Sequence, residues 1–178
     1  MEIKAVNTYS NIYAIEAGVV ESPWAQATFS ANNSYGTLST DLSAWGDSPL
    51  WHIFDNSNST KFGAGTTSGG YILWELPLSL KITEFSMVQT TETTYLDRFP
   101  QDVILYGSNN GTDFTEVGSK DNYSQPTSGG SVSVNCEDAD YYTYYKWVFD
   151  STFGGTQFAI AEINITALKQ VQNLKGVI

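Results

Sequence analysis

The chain has 178 residues, of which 14% are aromatic, with a single cysteine, Cys136, and a formal net charge of −11. That length suits one domain with a continuous core and no metal or disulfide staples, and one cysteine excludes an intramolecular disulfide framework. The eight Lys and Arg residues are scattered from Lys4 to Lys175 and form no basic stripe, which argues against nucleic acid and anionic membranes as partners. No apolar run of about 18 residues is present to insert into a bilayer.

In chain order, the opening segment MEIKAVNTYSNIYAIEAG carries Glu2 and Glu16 and lacks the basic start and apolar stretch of a secretory signal. Cytoplasmic synthesis is expected, with any surface exposure reached by another route such as incorporation into a virus particle. Ser22 to Thr40 is uncharged, small and polar, which predicts an extended strand and a long surface loop. Leu42, Trp45, Leu50, Ile53 and Phe54 have the spacing of a helical turn or two, with Asp47-Ser48-Pro49 as its start. Strands are predicted at Tyr71 to Leu76, Lys81 to Thr90, Gln101 to Gly107, Asp113 to Gly118, Ser131 to Cys136, Tyr144 to Asp150 and Gln157 to Leu168.

Alternation within these strands sets Ile82, Glu84 and Ser86 against Thr83, Phe85 and Met87, and places Tyr145, Trp147 and Phe149 on one face, the core, with Tyr144 on the other. Asn110-Gly111 predicts a type I′ turn joining two of the strands as a hairpin. Residues 1–167 read as one domain, and 168–178, LKQVQNLKGVI, as a short helix or attachment tail.

Four segments in this order resemble the discoidin-like family, also called the coagulation-factor type C domain, among the galactose-binding-like sandwiches. They are FDNSNSTKF (Phe54 to Phe62), YILWELP (Tyr71 to Pro77), RFPQDVILYGSNNGTDFTEVG (Arg98 to Gly118), and YYKWVFD followed by FAIAEINI (Phe158 to Ile165). The resemblance implies an all-β fold, an antiparallel jelly-roll β-sandwich of about eight strands. It implies a non-catalytic adhesion or carbohydrate-binding module whose contacts come from loops at one end.

Asp55, Asn58 and Thr60 make an oxygen-rich turn of the kind that wraps Ca²⁺. Similar domains hold a structural calcium there and complete it from the last strand, which implies the carbonyl of Ala161 and the carboxylate of Glu162. A carboxylate inside the apolar strand Phe158 to Ile165 is costly unless paired. The bland alternative is that Asp55 caps a turn while Glu162 pairs with a lysine or faces solvent.

Arg98, the only arginine, opens the turn Arg98-Phe99-Pro100 beside the loop Thr90 to Asp97. Its planar fork suits vicinal sugar hydroxyls or a carboxylate. Tyr95 offers an apolar face for a pyranose ring, and Trp45, His52 and Phe153 fall on loops expected at the same end. Against this, Arg98 beside Asp97 and Asp102 could be a plain ion pair, and Trp45 a core anchor.

Catalytic chemistry is poorly supplied. Cys136 lies among Glu137, Asp138 and Asp140, which disfavour a thiolate. Gly63-Ala64-Gly65 and Gly154-Gly155 lack the Lys-Ser/Thr ending of a phosphate loop. Only Glu92 with Asp97 or Asp102 offers a carboxylate pair for glycoside hydrolysis. The expected function is therefore glycan or cell-surface polysaccharide binding and adhesion, displayed on a virion or cell surface, with no enzyme activity. The alternative is a structural decoration or assembly domain of a phage particle (capsid, fibre or tail), docked to a virion scaffold protein and compatible with a homo-oligomer.

Overall fold

A computed structural model of the chain describes residues 17–65, 69–137, 139–154 and 156–174. Ten strands and two short 3₁₀ helices carry the fold: β1 (Ala17–Trp24), β2 (Thr37–Thr40), a helix at Leu50–Phe54, β3 (Phe62–Ala64), β4 (Gly70–Val88), a helix at Thr93–Arg98, β5 (Val103–Ser108), β6 (Thr115–Lys120), β7 (Ser131–Asn135), β8 (Tyr142–Phe149), β9 (Phe158–Ile160) and β10 (Glu162–Leu174). No helix among the described residues is long and apolar enough to cross a membrane.

The two strands expected at Tyr71 to Leu76 and Lys81 to Thr90 are one 19-residue strand, β4. Its first half pairs with β2 and β8 and its second half with β10 and β7, and the β8 register breaks between Glu75 and Leu80. Pro77 lies in that break, where its missing N–H costs no ladder bond. One strand thus serves both halves of the antiparallel sandwich, with the order β1-β10-β4-β8-β5-β6. Opposite Thr166/Ala167 a bulge shifts the register, so that Ile82 and Phe85 both turn inward and strict alternation through Ile82 to Met87 fails.

The core is aromatic. Phe54, at the end of the first helix, packs 5.2 Å from Trp74 of β4 and 6.1 Å from Trp147 of β8, and Phe85 lies 6.2 Å from Trp147. Tyr145, Trp147 and Phe149 are buried as their alternation predicts, while Tyr144 turns outward and donates its hydroxyl to Glu75 at 3.0 Å.

The hairpin of β5 and β6 is present, but its turn is not type I′. Only Gly111 has positive φ (72°). The connection is longer and is built on Asn110, whose side-chain oxygen accepts the N–H groups of Thr112 and Asp113, both at 2.9 Å. At the other end, residues 168–174 are neither helix nor loose tail. They continue β10 and pair with Ala17 to Pro23 of β1. Residues 1–16 and 175–178 lie outside the described residues.

Candidate functional site

Phe54 and Phe62, 1% and 0% exposed, pin the two ends of the loop from Asp55 to Lys61 in the core. The loop turns through Asn56 at φ 60°, a left-handed conformation that Asn adopts more readily than most residues. This aims the Ser57 N–H at Glu162 Oε2, 3.0 Å away at the start of β10. Thr60 Oγ1 lies 2.6 Å from Asp55 Oδ2 and 3.0 Å from the Ser57 carbonyl, closing the turn.

Glu162 is 2% exposed and pairs with no lysine among the described residues, so neither bland reading of it holds there. Burial pushes its carboxyl up to about 8, the Asp55 carboxylate adds to the rise, and the Ser57 and Asn56 N–H groups oppose it. Asp55 Oδ1 and Glu162 Oε1 are both buried without a hydrogen-bond partner. Two adjacent buried carboxyls in this state need either a retained proton or a cation.

The donor set fits a hard, oxygen-seeking ion such as Ca²⁺, which takes six to eight oxygens, often carbonyls and hydroxyls. No group of three or more His, Cys, Asp or Glu occurs among the described residues, so a softer metal has no ligand set here. Thr60 belongs to the cluster, and Ala161 is buried at the break between β9 and β10, its N–H held by the Val88 carbonyl at 3.0 Å. Asn58 does not join it. It is exposed, no hydrogen bond links it to either carboxylate, and its carbonyl accepts the Thr91 hydroxyl at 3.2 Å.

Beside this loop, the second helix presents Tyr95 and Arg98 three residues apart, on one face of a 3₁₀ turn. The Arg98 guanidinium lies 4.4 Å from the Tyr95 ring centre and 5.3 Å from that of Trp45, and the two rings are 5.8 Å apart. Trp45 is half-buried and rests on Gly63, where an added Cβ would lie 2.2 Å from Trp45 Cε3. Trp45 thus stands beside Arg98 and Tyr95, outside the core cluster.

Among the described residues Arg98 forms no ion pair. The two ion pairs among the described residues are Lys61–Glu92 and Lys81–Glu21, and no side-chain hydrogen bond uses the guanidinium. Asp102 instead accepts the N–H of Asp150 at 2.7 Å and the Ser151 hydroxyl. Of the carboxylates offered for hydrolysis, Glu92 is taken up by Lys61 and Asp102 by the loop after β8, while Asp97 is exposed.

Lys61, absent from the residues singled out in the sequence, lies 4.5 Å from the Tyr95 ring centre. The Tyr95 face expected to receive a pyranose therefore carries cations. His52 packs its ring 4.3 Å from Trp51 and places Nδ1 3.0 Å from the Lys61 carbonyl. A carbonyl only accepts, so Nδ1 carries the proton, and Nε2 of the neutral ring is an acceptor.

Phe153 stands apart, its ring 5.6 Å from that of Tyr123 and its N–H on the Phe99 carbonyl at 3.2 Å. It props the Phe99-Pro100 turn that follows Arg98. Cys136 is buried, and burial first and then Glu84 push its thiol up to about 12, which removes it as a nucleophile.

The sheet order and the long central strand build an antiparallel β-sandwich with the discoidin-like, galactose-binding-like fold of solved family 32 carbohydrate-binding modules. A module of that family from Clostridium perfringens, solved in complex with GalNAc-β-1,3-galactose, superimposes with a TM-score of 0.60 at 18% identity, covering 72% of this chain and 93% of the module. The family 32 module of C. perfringens NanJ, in complex with galactose, gives 0.64 at 16% identity, covering 83% and 99%. A chitosan-binding module from a chitosanase/glucanase of Paenibacillus sp. IK-5 gives 0.60 at 13% identity, covering 74% and 93%. No protein-family model matches the sequence. No curated protein matches it either.

Proposed function

We propose that the chain is a non-catalytic glycan-binding module that takes its ligand at Arg98, with Trp45, Tyr95, Lys61 and His52 forming the surrounding shelf. The observation that carries this reading is the state of Arg98. A guanidinium has five N–H donors in a rigid plane, and here none makes a hydrogen bond or ion pair among the described residues, although the group is held in place by two aromatic rings. Donors that are fixed yet unused bind vicinal hydroxyls with little ordering cost. The relatives in fold solved with galactose and with GalNAc-β-1,3-galactose support hydroxyl recognition of this kind.

The same proposal includes a structural Ca²⁺ at Asp55 and Glu162, with Thr60 and the carbonyl of Ala161 nearby. It would neutralise the two orphaned carboxylate oxygens and hold the loop closed. Titration calorimetry against galactose, GalNAc-β-1,3-galactose and chitosan oligosaccharides tests the glycan reading. Binding of at least one, lost in Arg98→Ala with the melt preserved, supports it; no binding to any, or binding indifferent to Arg98→Ala, overturns it.

A further inference from the structure

The segment Asp55 to Gly63 belongs to both sites. At its start Asp55 and the Ser57 N–H face Glu162. Its middle holds the Thr91 hydroxyl through the Asn58 carbonyl at 3.2 Å. At its end Lys61 pairs with Glu92 and lies 4.5 Å from the Tyr95 ring centre, the Lys61 carbonyl takes His52 Nδ1, and Gly63 is the floor beneath Trp45.

The helix bearing Tyr95 and Arg98 spans only Thr93–Arg98 and has no buried residue of its own. It is held by polar contacts: Thr91 and Glu92 to the loop, and the side-chain amides of Gln89 and Gln125 to the Leu96 carbonyl at 2.9 and 2.6 Å. Phe99 directly after the helix is buried and holds its C-terminal end, whereas its N-terminal end, tied to the loop through Thr91 and Glu92, follows the segment it is bonded to.

We infer that cation occupancy at Asp55 and Glu162 sets the affinity of the Arg98 site, with Lys61 and the Thr91–Asn58 contact as the coupling. The inference rests on the glycan and cation readings above. Without a cation, Asp55 Oδ1 and Glu162 Oε1 are left with no partner and the loop is closed only by the Ser57 N–H on Glu162 and the Thr60 hydroxyl, so it opens more readily. That movement draws Asn58 from Thr91 and Lys61 from Tyr95 and Glu92, which loosens the helix that orients Arg98. The coupling is reciprocal, so ligand raises cation affinity by the factor by which cation raises ligand affinity.

The test uses the whole chain in CaCl₂ and in EGTA, with galactose and GalNAc-β-1,3-galactose as ligands and hydrogen exchange as a ligand-independent readout. Ca²⁺ is expected to protect Glu92 to Phe99 as well as Asp55 to Lys61, and to tighten glycan binding about fivefold or more. The double variant Thr91→Val, Glu92→Gln should still bind Ca²⁺ while losing most of that factor. Protection confined to Asp55 to Lys61, with equal glycan affinity in both buffers, overturns the inference. Absence of any Ca²⁺ binding heat overturns both it and the cation reading but leaves glycan binding standing. Long-range protection without binding of either sugar upholds the coupling and defeats the glycan reading for these ligands.

Discussion

At the proposed ligand site Arg98 and Gly63 would act in opposite ways, one through what it offers and the other through what it lacks. Arg98→Ala removes the donors and is expected to weaken glycan binding about tenfold or more, read by calorimetry, with little effect on the melt because among the described residues the group makes no hydrogen bond or ion pair and rests only on the Trp45 and Tyr95 rings. Arg98→Lys keeps the charge but not the planar fork, and should recover only part of the loss. Gly63→Ala would place a methyl 2.2 Å from Trp45 Cε3. The ring must move, so ligand affinity falls and stability drops by about 1–3 kcal/mol, the usual cost of overpacking. An unchanged Trp fluorescence spectrum and affinity would show that the floor has no such role. Arg98 was conspicuous in the sequence as a lone arginine beside aromatics. Gly63 and Lys61 were not, since a floor and a flanking cation are defined only by what the strand pairing sets against them.

The loop from Asp55 to Lys61 is the element on which pH acts. In the chelated protein Glu162 has a folded pKa of about 8 against an ordinary 4.5, with burial as the main cause. Between these values the folded state holds a proton that the unfolded chain has released, so stability is fully present below about pH 4.5 and is lost as pH rises through 8. Melting temperature in EGTA should therefore fall from about pH 5 to pH 8. Glu162→Gln, which cannot ionise, should flatten the profile, and added Ca²⁺ should restore the wild-type melt at the alkaline end. A melt in EGTA that is level across this range would remove the buried carboxyl as its cause. The loop's oxygen-rich composition was readable in advance, as was the oddity of a carboxylate inside an apolar strand. The exclusion of Asn58 was not, because composition does not say which way a turn points its side chains. The β5–β6 hairpin illustrates the same limit: Asn110-Gly111 correctly marked a reversal, but Asn110 builds it with its side chain and not with a left-handed backbone.

For the molecule as a whole, the ends decide how the sandwich is closed. Apolar runs and period-two patterns marked its strands, but pairings remote in sequence had no local signal, and residues 168–174 looked like a tail because Lys, Gln and Asn interrupt their apolar positions. That composition suits β10 at this point. Past Lys169, which pairs with Leu80, the strand has left β4 and lies against β1 alone, so its polar residues need no core. Removing residues 168–178 takes away the partners of Ala17 to Pro23 and leaves β1 attached through Trp24↔Ala167. Trp24 is buried against Trp74, 5.9 Å between ring centres, so freeing its strand should loosen the core from that edge. Thermal denaturation of the truncated chain is expected to show a lower melting temperature. Ca²⁺ and glycan binding should persist below it, because Glu162 to Ala167 keep their pairing with Val88 to Ile82. An unchanged melt would mean that the β1–β10 ribbon contributes nothing to the fold and serves only to carry the sandwich.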